Sequence, residues 1–258
     1  MHYEKRIVEG CNEWILFIHG LGGSIETWKY QVDAFHEYNQ IFVDLEGHGK
    51  SNFFATKKAE ILAAYEIQHI LEEEGIEKVH IVSMSLGTIV AMEFACLFPS
   101  KVESMVLAGC VLNLKRVSKF LLNLANVMKY IASASFSYKF FSKIIMPNKE
   151  QAISRRIFLR ESLKMSHEAF KSWVSTMANT QKRLEEYLQN IAKNHLDVLF
   201  ISGKNDYFFV KGIKELSQKV KNVKFLFLEK SGHVCSIDAK NRFNQIVQTF
   251  LKNHTAMV

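Results

Sequence analysis

Short apolar runs alternate with segments of helical spacing along this chain, and the alternation breaks off between residues 113 and 192. Before the break the apolar runs are "WILFIH" (14–19), "QIFVD" (40–44), "VHIVS" (79–83) and "SMVLAG" (104–109). The segments of helical spacing among them are 24–37, 58–74 and 86–97. Strands that alternate with helices indicate βαβ units, which build a mostly parallel sheet. Because the runs are apolar almost throughout, we expect both faces of that sheet to be covered.

After the break the same alternation resumes. The later segments are the strand "DVLFISG" (197–203), a helix near 210–220, the strand "VKFLFLE" (223–229) and a helix near 236–252. "HYEKRIVEG" (2–10) adds a strand at the edge of the sheet. The break contains helical patterns and no convincing strand. We therefore predict a doubly wound α/β core formed by residues 1–112 and 193–258, with a helical cap inserted at 113–192.

The predicted cap also differs from its flanks in charge. The whole chain of 258 residues carries a net charge of +7. From residue 113 to residue 195 there are 15 Lys and Arg against 5 Glu and no Asp, a net +10 that leaves −3 for the rest. This segment is either a solvated lysine-rich face or a surface suited to an anionic substrate or an anionic membrane. We expect no nucleic-acid partner, because no recognition motif accompanies the charge.

Nothing in the composition indicates export or membrane insertion. The first ten residues, "MHYEKRIVEG", carry charges where a signal peptide needs an apolar core. No apolar run reaches the roughly 18 to 20 residues that span a bilayer. The cysteines, Cys11, Cys96, Cys110 and Cys235, lack CxxC or metal-ligand spacing. We therefore expect a cytoplasmic protein with reduced thiols, no stable membrane insertion, no metal and no cofactor.

The stretch "HIVSMSLGT" (80–88) places two serines, Ser83 and Ser85, at the end of a predicted strand. Only Ser85 is followed two positions later by a glycine, Gly87, and it lies between the strand and the next helix. This arrangement resembles the nucleophile elbow, G-x-S-x-G, of the α/β-hydrolase fold, whose tight turn exposes the serine hydroxyl. Ser83 takes the place of the first glycine, and we expect a residue this small to preserve the turn.

The resemblance implies that the nucleophile is followed along the chain by an acid and then by a histidine. The aspartates after Ser85 are Asp197, Asp206 and Asp238. Asp197 opens a strand, at the wrong end of the sheet, whereas Asp206 follows that strand at the carboxyl end, where sites in parallel sheets gather. His233 follows the last strand, whereas His254 lies in the polar tail. We therefore predict a catalytic triad of Ser85, Asp206 and His233, in which His233 is the base and Asp206 orients it.

Two further stretches resemble motifs of the same fold. "FIHGLGGSIETW" (17–28) is similar to the H-G-x-G-G oxyanion loop, which implies an oxyanion hole formed by the backbone amides of Leu21 and Leu86. The same resemblance suggests a substrate pocket lined by Gly20, Gly22, Trp28 and Met84. "DLEGHGKS" (44–51) is similar to the family's D-x-x-G-H-G-x-S stretch, with Glu46 as a departure from its usual residues. His19 is expected to be structural rather than a base, and Asp44 and His48 are expected to hold loops. The resemblance places the cap after the sixth strand.

A serine triad with an oxyanion hole implies acyl transfer, and ester hydrolysis is the expected reaction. The predicted cap is rich in bulky apolar side chains, which favours a small-molecule ester with an apolar acyl group as substrate. Two alternatives stay open. One is C–C bond hydrolysis or lyase chemistry on a carbonyl acid, for which Arg116, Arg155, Arg156 and Arg160 offer cations. The other is a ligand sensor with little turnover. The protein is expected to be a monomer or a homodimer.

Overall fold

One seven-stranded sheet forms the centre of the protein, for which a computed structural model describes residues 1–54, 58–112, 115–219 and 223–255. The strands are β1 (His2–Arg6), β2 (Trp14–Ile18), β3 (Asn39–Asp44), β4 (Val79–Met84), β5 (Val102–Ala108), β6 (Asp197–Gly203) and β7 (Lys224–Leu228). Their order is β1-β3-β2-β4-β5-β6-β7. Edge strand β1 is antiparallel to β3, and all other pairs are parallel. The predicted mostly parallel α/β sheet is confirmed.

Helices cover both faces of this sheet. They are α1 (Ala59–Glu73), α2 (Leu86–Leu97), α3 (Arg116–Ile131), α4 (Ala134–Ile145), α5 (Ala152–Ser162), α6 (His167–Thr180), α7 (Leu184–Lys193), α8 (Val210–Lys219), α9 (Cys235–Asp238) and α10 (Lys240–Thr255). Successive residues of a strand point to opposite faces of the sheet and join different hydrophobic cores. Leu16 packs with α1 and α2, whereas Phe17 packs with α10. This period of two explains why the strands read as continuously apolar. No helix of the described residues has the length and apolar character of a membrane span.

The sequence prediction was wrong for the helix at 24–37. One 3-10 turn, Ile25–Trp28, is followed by irregular turns. The amide of Gln31 bonds to the carbonyl three residues back, and that of Phe35 to the carbonyl four residues back. Trp28 and Phe35 are buried as the apolar spacing requires, so the spacing was real but the backbone bonds do not form a continuous α-helix.

Helices α3 to α7 follow one another between the adjacent parallel strands β5 and β6, and we call Arg116–Lys193 the helical segment. It contains no strand among its described residues, as predicted. The first residue of the predicted cap, 113, lies outside the described residues. The segment follows the fifth strand and not the sixth, because one edge strand precedes Trp14 and the described residues between Ile18 and Val79 contribute only β3.

Polar contacts fasten the helical segment to the sheet and its helices. The indole nitrogen of Trp173 on α6 donates to the carbonyl of Glu46 at 2.9 Å. The hydroxyl of Tyr187 on α7 donates to the carboxylate of Glu93 on α2 at 2.9 Å. Trp173 and Tyr187 are fully buried, so these hydrogen bonds are shielded from water. The segment is thus packed on the core as a continuous part of the fold.

Helix α2 lies unusually close to strand β2. A Cβ atom at Gly87, in the first turn of α2, would lie 2.4 Å from the carbonyl oxygen of Ile18 and 2.7 Å from that of His19. Real Cβ atoms do not approach backbone oxygens so closely, and the backbone cannot yield without separating helix and strand. Gly87, the glycine of the motif around Ser85, is therefore required for the packing of α2.

Substitution Gly87→Ala should destabilise the protein by about 1 to 3 kcal/mol through this overpacking, although alanine normally favours a helix. Urea unfolding measures the effect. The control is Gly75→Ala, at φ +66° but with open space around the new Cβ, which costs only the left-handed strain of roughly 1 to 2 kcal/mol. An alanine at position 87 that stabilises the protein, as it would in a free helix, would contradict the packing argument.

Candidate active site

Ser85 lies at a sharp turn between the end of β4 and the start of α2. Its backbone has φ 52° and ψ −115°, a conformation that residues other than glycine rarely adopt. Such strain costs of order 1 to 3 kcal/mol and persists only where the surroundings enforce it. Here the amide of Ser85 donates to the carbonyl of Ala108 on β5, and its own carbonyl accepts from the amide of Thr88. The turn therefore holds the Ser85 side chain at the carboxyl edge of the sheet.

Ser83 has a different environment from Ser85. Its side chain is fully buried, and its hydroxyl donates to the carbonyl of Val106 on β5 at 3.1 Å. The hydroxyl is thus satisfied inside the sheet, which explains how serine replaces the expected small glycine without leaving an unpaired polar group. Of the two serines, only Ser85 faces the cavity described below.

The three side chains of the predicted triad form one line of hydrogen bonds. His233, in the loop after β7, places its Nε2 2.9 Å from the Oγ of Ser85. Its Nδ1 lies 2.8 Å from the Oδ2 of Asp206, in the loop after β6, and Asp206 is fully buried. The ring of Phe209 packs on the imidazole with centroids 4.7 Å apart. A histidine held between a carboxylate and a serine hydroxyl can accept the hydroxyl proton through Nε2.

Two backbone amides close to Ser85 are without an acceptor among the residues that the structure describes. Neither the amide of Leu21 nor that of Leu86 donates a hydrogen bond within the described ranges. Leu86 is the first residue of α2, where amides lack intrahelical acceptors. Leu21 follows Gly20, whose added Cβ would lie 3.1 Å from that of Ser85. The structure therefore brings both predicted oxyanion-hole residues beside the serine.

His19 and His48 brace the loop that carries Leu21. The amide of Gly22 donates to Nε2 of His48 at 3.0 Å, and the amide of Leu45 donates to Nε2 of His19 at 3.1 Å. Each Nε2 is thus an acceptor, so each ring carries its proton on Nδ1, and His19 uses that proton toward the carbonyl of Gly20. Both histidines therefore have structural roles, as expected for His19, and His48 holds a loop, as expected from the sequence.

Both buried histidines are neutral. Burial lowers the pKa of His19 to about 4. Burial, reinforced by the neighbouring His19 ring, lowers the pKa of His48 to about 3. The centroids of the two rings are 5.0 Å apart. Asp44 also holds these loops in place, because its carboxylate accepts hydrogen bonds from the amides of Ile25 and Lys50.

An apolar cavity of about 120 Å³ opens from Ser85 and His233 into the helical segment. Its walls include Leu121 and Ala125 of α3 and Phe141 of α4. Among the described residues, no Asp, Glu, Lys or Arg side chain lines it. Of the bulky apolar side chains in the predicted cap, Tyr138, Phe141, Met146, Phe158 and Met177 line it. The cavity can therefore accept an uncharged, carbon-rich group.

The predicted pocket residues are only partly found at this cavity. Met84 lines it. Gly20 and Gly22 lie behind the wall, where a Cβ at Gly22 would collide with the ring of Tyr138 at 2.3 Å. Trp28 does not line the cavity: it is buried in the core with its ring 5.2 Å from that of Phe17. The 3-10 turn directs this indole into the core, which corrects its assignment to the pocket.

Sequence reasoning missed Glu161, which joins the helical segment to the loop after β2. Its side chain on α5 is fully buried and accepts a hydrogen bond from the hydroxyl of Ser24 at 2.8 Å. Arg160 and Lys164 also bind it. Burial alone would raise the pKa of Glu161, but the hydrogen bonds from Lys164, Ser24 and Arg160 lower it below its ordinary value. No local pattern marks this residue, because Ser24 lies far away in the sequence.

Glu46, the departure from the family motif, has a structural role. Its side chain is buried and accepts a hydrogen bond from the amide of Phe54 at 2.5 Å. Burial raises the pKa of its carboxyl group.

Within the described ranges, no group of three His, Cys, Asp or Glu side chains is arranged to hold a metal ion.

Comparisons with known proteins agree with this fold. A family model for the alpha/beta hydrolase fold matches residues 13–240. A 2-hydroxy-6-oxononadienedioate/2-hydroxy-6-oxononatrienedioate hydrolase of Paraburkholderia phymatum is 24% identical over 262 residues, covering 93% of this chain and 87% of the relative. An acetyltransferase component of the acetoin cleaving system of Cupriavidus necator is 34% identical over 103 residues, which span 40% of this chain and 28% of that relative.

A solved carboxylesterase structure from Nitrososphaera gargenis has a TM-score of 0.83 with this chain at 19% identity. The match covers 100% of this chain and 96% of that one. At this level of identity the likeness shows the fold and leaves the substrate open.

The neutral histidines predict a loss of stability in acid. An unfolded histidine titrates near pH 6.5, whereas folded His48 titrates at about 3. Between these values the unfolded state binds more protons, so the free energy of unfolding falls as the pH falls. His48→Gln keeps a donor and an acceptor without this titration. Its loss of stability between pH 7 and pH 5, measured by urea unfolding, should be smaller than the parent's by about 2 kcal/mol.

The control is His69→Gln, which removes an exposed imidazole of α1 and leaves both buried rings in place. It should lose as much stability as the parent over the same pH range. Equal losses in the parent and in His48→Gln would show that His48 does not oppose protonation in the folded state.

Proposed function

Because the chain belongs to the α/β-hydrolase fold family, we propose that it is a serine hydrolase that cleaves carboxylic esters through an acyl-enzyme intermediate. The observation that carries the proposal is the line of hydrogen bonds from Asp206 through His233 to Ser85, which ends at an apolar cavity. The acyl group of the ester would occupy the cavity, with its carbonyl carbon beside the Oγ of Ser85.

The proposed reaction has two halves. In the first, the Oγ of Ser85 attacks the ester carbonyl while Nε2 of His233 takes its proton, and the imidazolium then gives that proton to the departing alcohol oxygen. In the second, water attacks the acyl-enzyme while Nε2 of His233 takes its proton, and the imidazolium then returns that proton to the Oγ of Ser85 as the acyl–oxygen bond breaks and the carboxylic acid leaves. Asp206 keeps the proton of the neutral ring on Nδ1 and stabilises the imidazolium that forms in each half.

The amides of Leu21 and Leu86 would bind the negative oxygen of the tetrahedral intermediate. Neither N–H has an acceptor in the described part of the chain, and Leu86 also contributes the positive end of the α2 dipole. Preorganised donors of this kind stabilise the transition state without reorganisation, and one such donor is worth about 2.7 to 4 kcal/mol. The buried rings of His19 and His48 would keep the Leu21 loop in this position.

The cavity favours an ester with an uncharged acyl group. A carboxylate placed among its apolar walls would lose its hydration without gaining a cationic partner. Four cap arginines were candidate partners for a carbonyl acid. Arg116, Arg156 and Arg160 are exposed, while Arg155 donates to the carbonyl of Met146, and none of the four lines the cavity.

C–C bond hydrolysis of a carbonyl acid is the second candidate. The near full-length likeness to the Paraburkholderia phymatum hydrolase, which by its name acts on a dienedioate, supports it. The absence of a cation among the described cavity walls weighs against it. A ligand sensor with little turnover would share the same cavity.

In either enzyme, residues 113–192 would act as a cap that covers the site. The hydroxyl of Tyr138 donates to the carbonyl of Leu21 at 2.5 Å, so the helical segment touches the proposed oxyanion loop directly. A cytoplasmic location and a monomeric or homodimeric state remain predictions.

Labelling with a fluorophosphonate tests the nucleophile. The parent should be labelled, and Ser85→Ala should lose both the label and more than about a thousandfold of its turnover of p-nitrophenyl butyrate. Ser83→Ala is the matched control, since it removes the neighbouring hydroxyl that bonds inside the sheet, and it should still be labelled. A label that persists in Ser85→Ala would remove Ser85 from the proposal, and labelling without ester turnover would favour the C–C or sensor candidates.

Filling the cavity should shorten the preferred acyl chain. Ala125→Trp places an indole in the cavity wall, so kcat/KM for p-nitrophenyl decanoate should fall at least tenfold relative to p-nitrophenyl acetate, because a few methylene groups lose their apolar contacts. Asn123→Trp places the same ring on the exposed side of α3 and should keep the parent's ratio. A ratio that is unchanged in Ala125→Trp would show that the acyl group binds elsewhere.

A further inference from the structure

Helix α3 carries apolar side chains on its outer face as well as on the face that lines the cavity. The inner face carries Leu121, Leu122 and Ala125, which line the cavity, and the two buried side chains, Ser118 and Lys129, are polar. The exposed face also carries large apolar side chains, with Phe120 at 65% and Ile131 at 78% exposure. A surface helix ordinarily buries its apolar stripe and exposes its polar one. The outer face of α3 therefore lacks the partner that its composition requires.

The exposed apolar side chains of α3 lie along one side of the helix, and the neighbouring helix α4 adds two more. On α3 they recur at spacings of three, four and seven residues, which places them on one side of the helix. The stripe consists of Val117, Phe120, Val127, Tyr130, Ile131, Phe136 and Phe140. The inner faces of both helices line the same cavity, so their outer faces point away from it. We call these seven side chains the outer stripe.

Cations border the outer stripe without any acid. Residues 115–148 contain six Lys and Arg and no Asp or Glu. Two of them are engaged elsewhere, since Lys115 pairs with Glu215 and Lys129 donates to the hydroxyl of Ser175. The other four are exposed: Arg116, Lys119, Lys139 and Lys143. An apolar face flanked by exposed cations is the pattern of helices that lie in the interface of an anionic membrane.

We propose that the outer stripe docks on the surface of a membrane that contains anionic phospholipid. The apolar side chains would enter the boundary between headgroups and acyl chains, and the four cations would contact lipid phosphates. Charge argues against a second copy of the chain as the occupant, because two such faces would bring together cations with no acid between them. The docked face is the back of the wall that encloses the cavity, so docking would hold the proposed active site beside the lipid. Docking does not depend on chemistry at Ser85.

Vesicle flotation of the full chain tests the proposal. The parent should float with vesicles of phosphatidylcholine and phosphatidylglycerol, float much less with phosphatidylcholine alone, and lose binding as salt rises. The double variant Phe120→Ser, Ile131→Ser should bind the anionic vesicles at least roughly tenfold more weakly. Lys119→Glu, Lys139→Glu should also bind more weakly, because two attractive charges become repulsive.

Matched controls separate docking from folding and from catalysis. Ile7→Ser removes an apolar side chain that is 66% exposed near β1, and Lys252→Glu reverses an exposed charge on α10. Both should float like the parent. Ser85→Ala should also float like the parent, so a failure of the proposed hydrolysis would leave the docking result intact. The double serine variant should keep the parent's circular dichroism and its thermal midpoint within a few degrees.

Three results would overturn the proposal. The first is a parent that floats with neither kind of vesicle. The second is a double serine variant that binds as tightly as the parent. The third is a parent dimer in sedimentation velocity that the same variant abolishes without any change in flotation, which would make a second copy of the chain the occupant of the outer stripe.

Discussion

The close approach of α2 to β2 determines the geometry of the candidate site. With no Cβ at Gly87, the first turn of α2 lies against the carbonyl oxygens of β2, and the chain between β4 and α2 has to turn sharply at Ser85. The positive φ of Ser85 is the strain that this packing imposes, and the hydrogen bond to Ala108 holds it. One backbone contact thereby sets the position of the hydroxyl, the first amide of α2 and the end of β4.

The loop opposite Ser85 is held by groups that cannot ionise easily. The rings of His19 and His48 accept backbone amides through Nε2, a role that a protonated imidazole cannot fill. Burial keeps them neutral, so the same burial that lowers their pKa values preserves the loop. The helical segment adds a second attachment through Glu161 and Ser24. The loop that carries Leu21 is therefore held by two sets of contacts. His19 and His48 provide one, and the helical segment provides the other.

The sequence was most informative where only a few residues of the required type were present. The apolar runs predicted the strands, and the scarcity of aspartates and histidines after Ser85 selected side chains that the structure joins by hydrogen bonds. Trp28 was assigned to the wrong place because a motif does not say whether a side chain turns toward a cavity or a core. Glu161 was missed because its partner Ser24 becomes a neighbour only after folding. Local spacing predicts elements, whereas contacts between distant segments require the fold.

The distribution of charge links the cavity to the outer surface. The helical segment concentrates the positive charge of the chain, yet none of that charge lines the described walls of the cavity. Cations that served an anionic substrate would have to reach the cavity, because an exposed cation is screened by water and salt over about 10 Å. The exposed cations instead border the apolar stripe of α3 and α4, where their long side chains can reach the phosphates of a lipid surface. The positive charge of the segment is thus better explained by docking on an anionic membrane surface than by binding an anionic substrate.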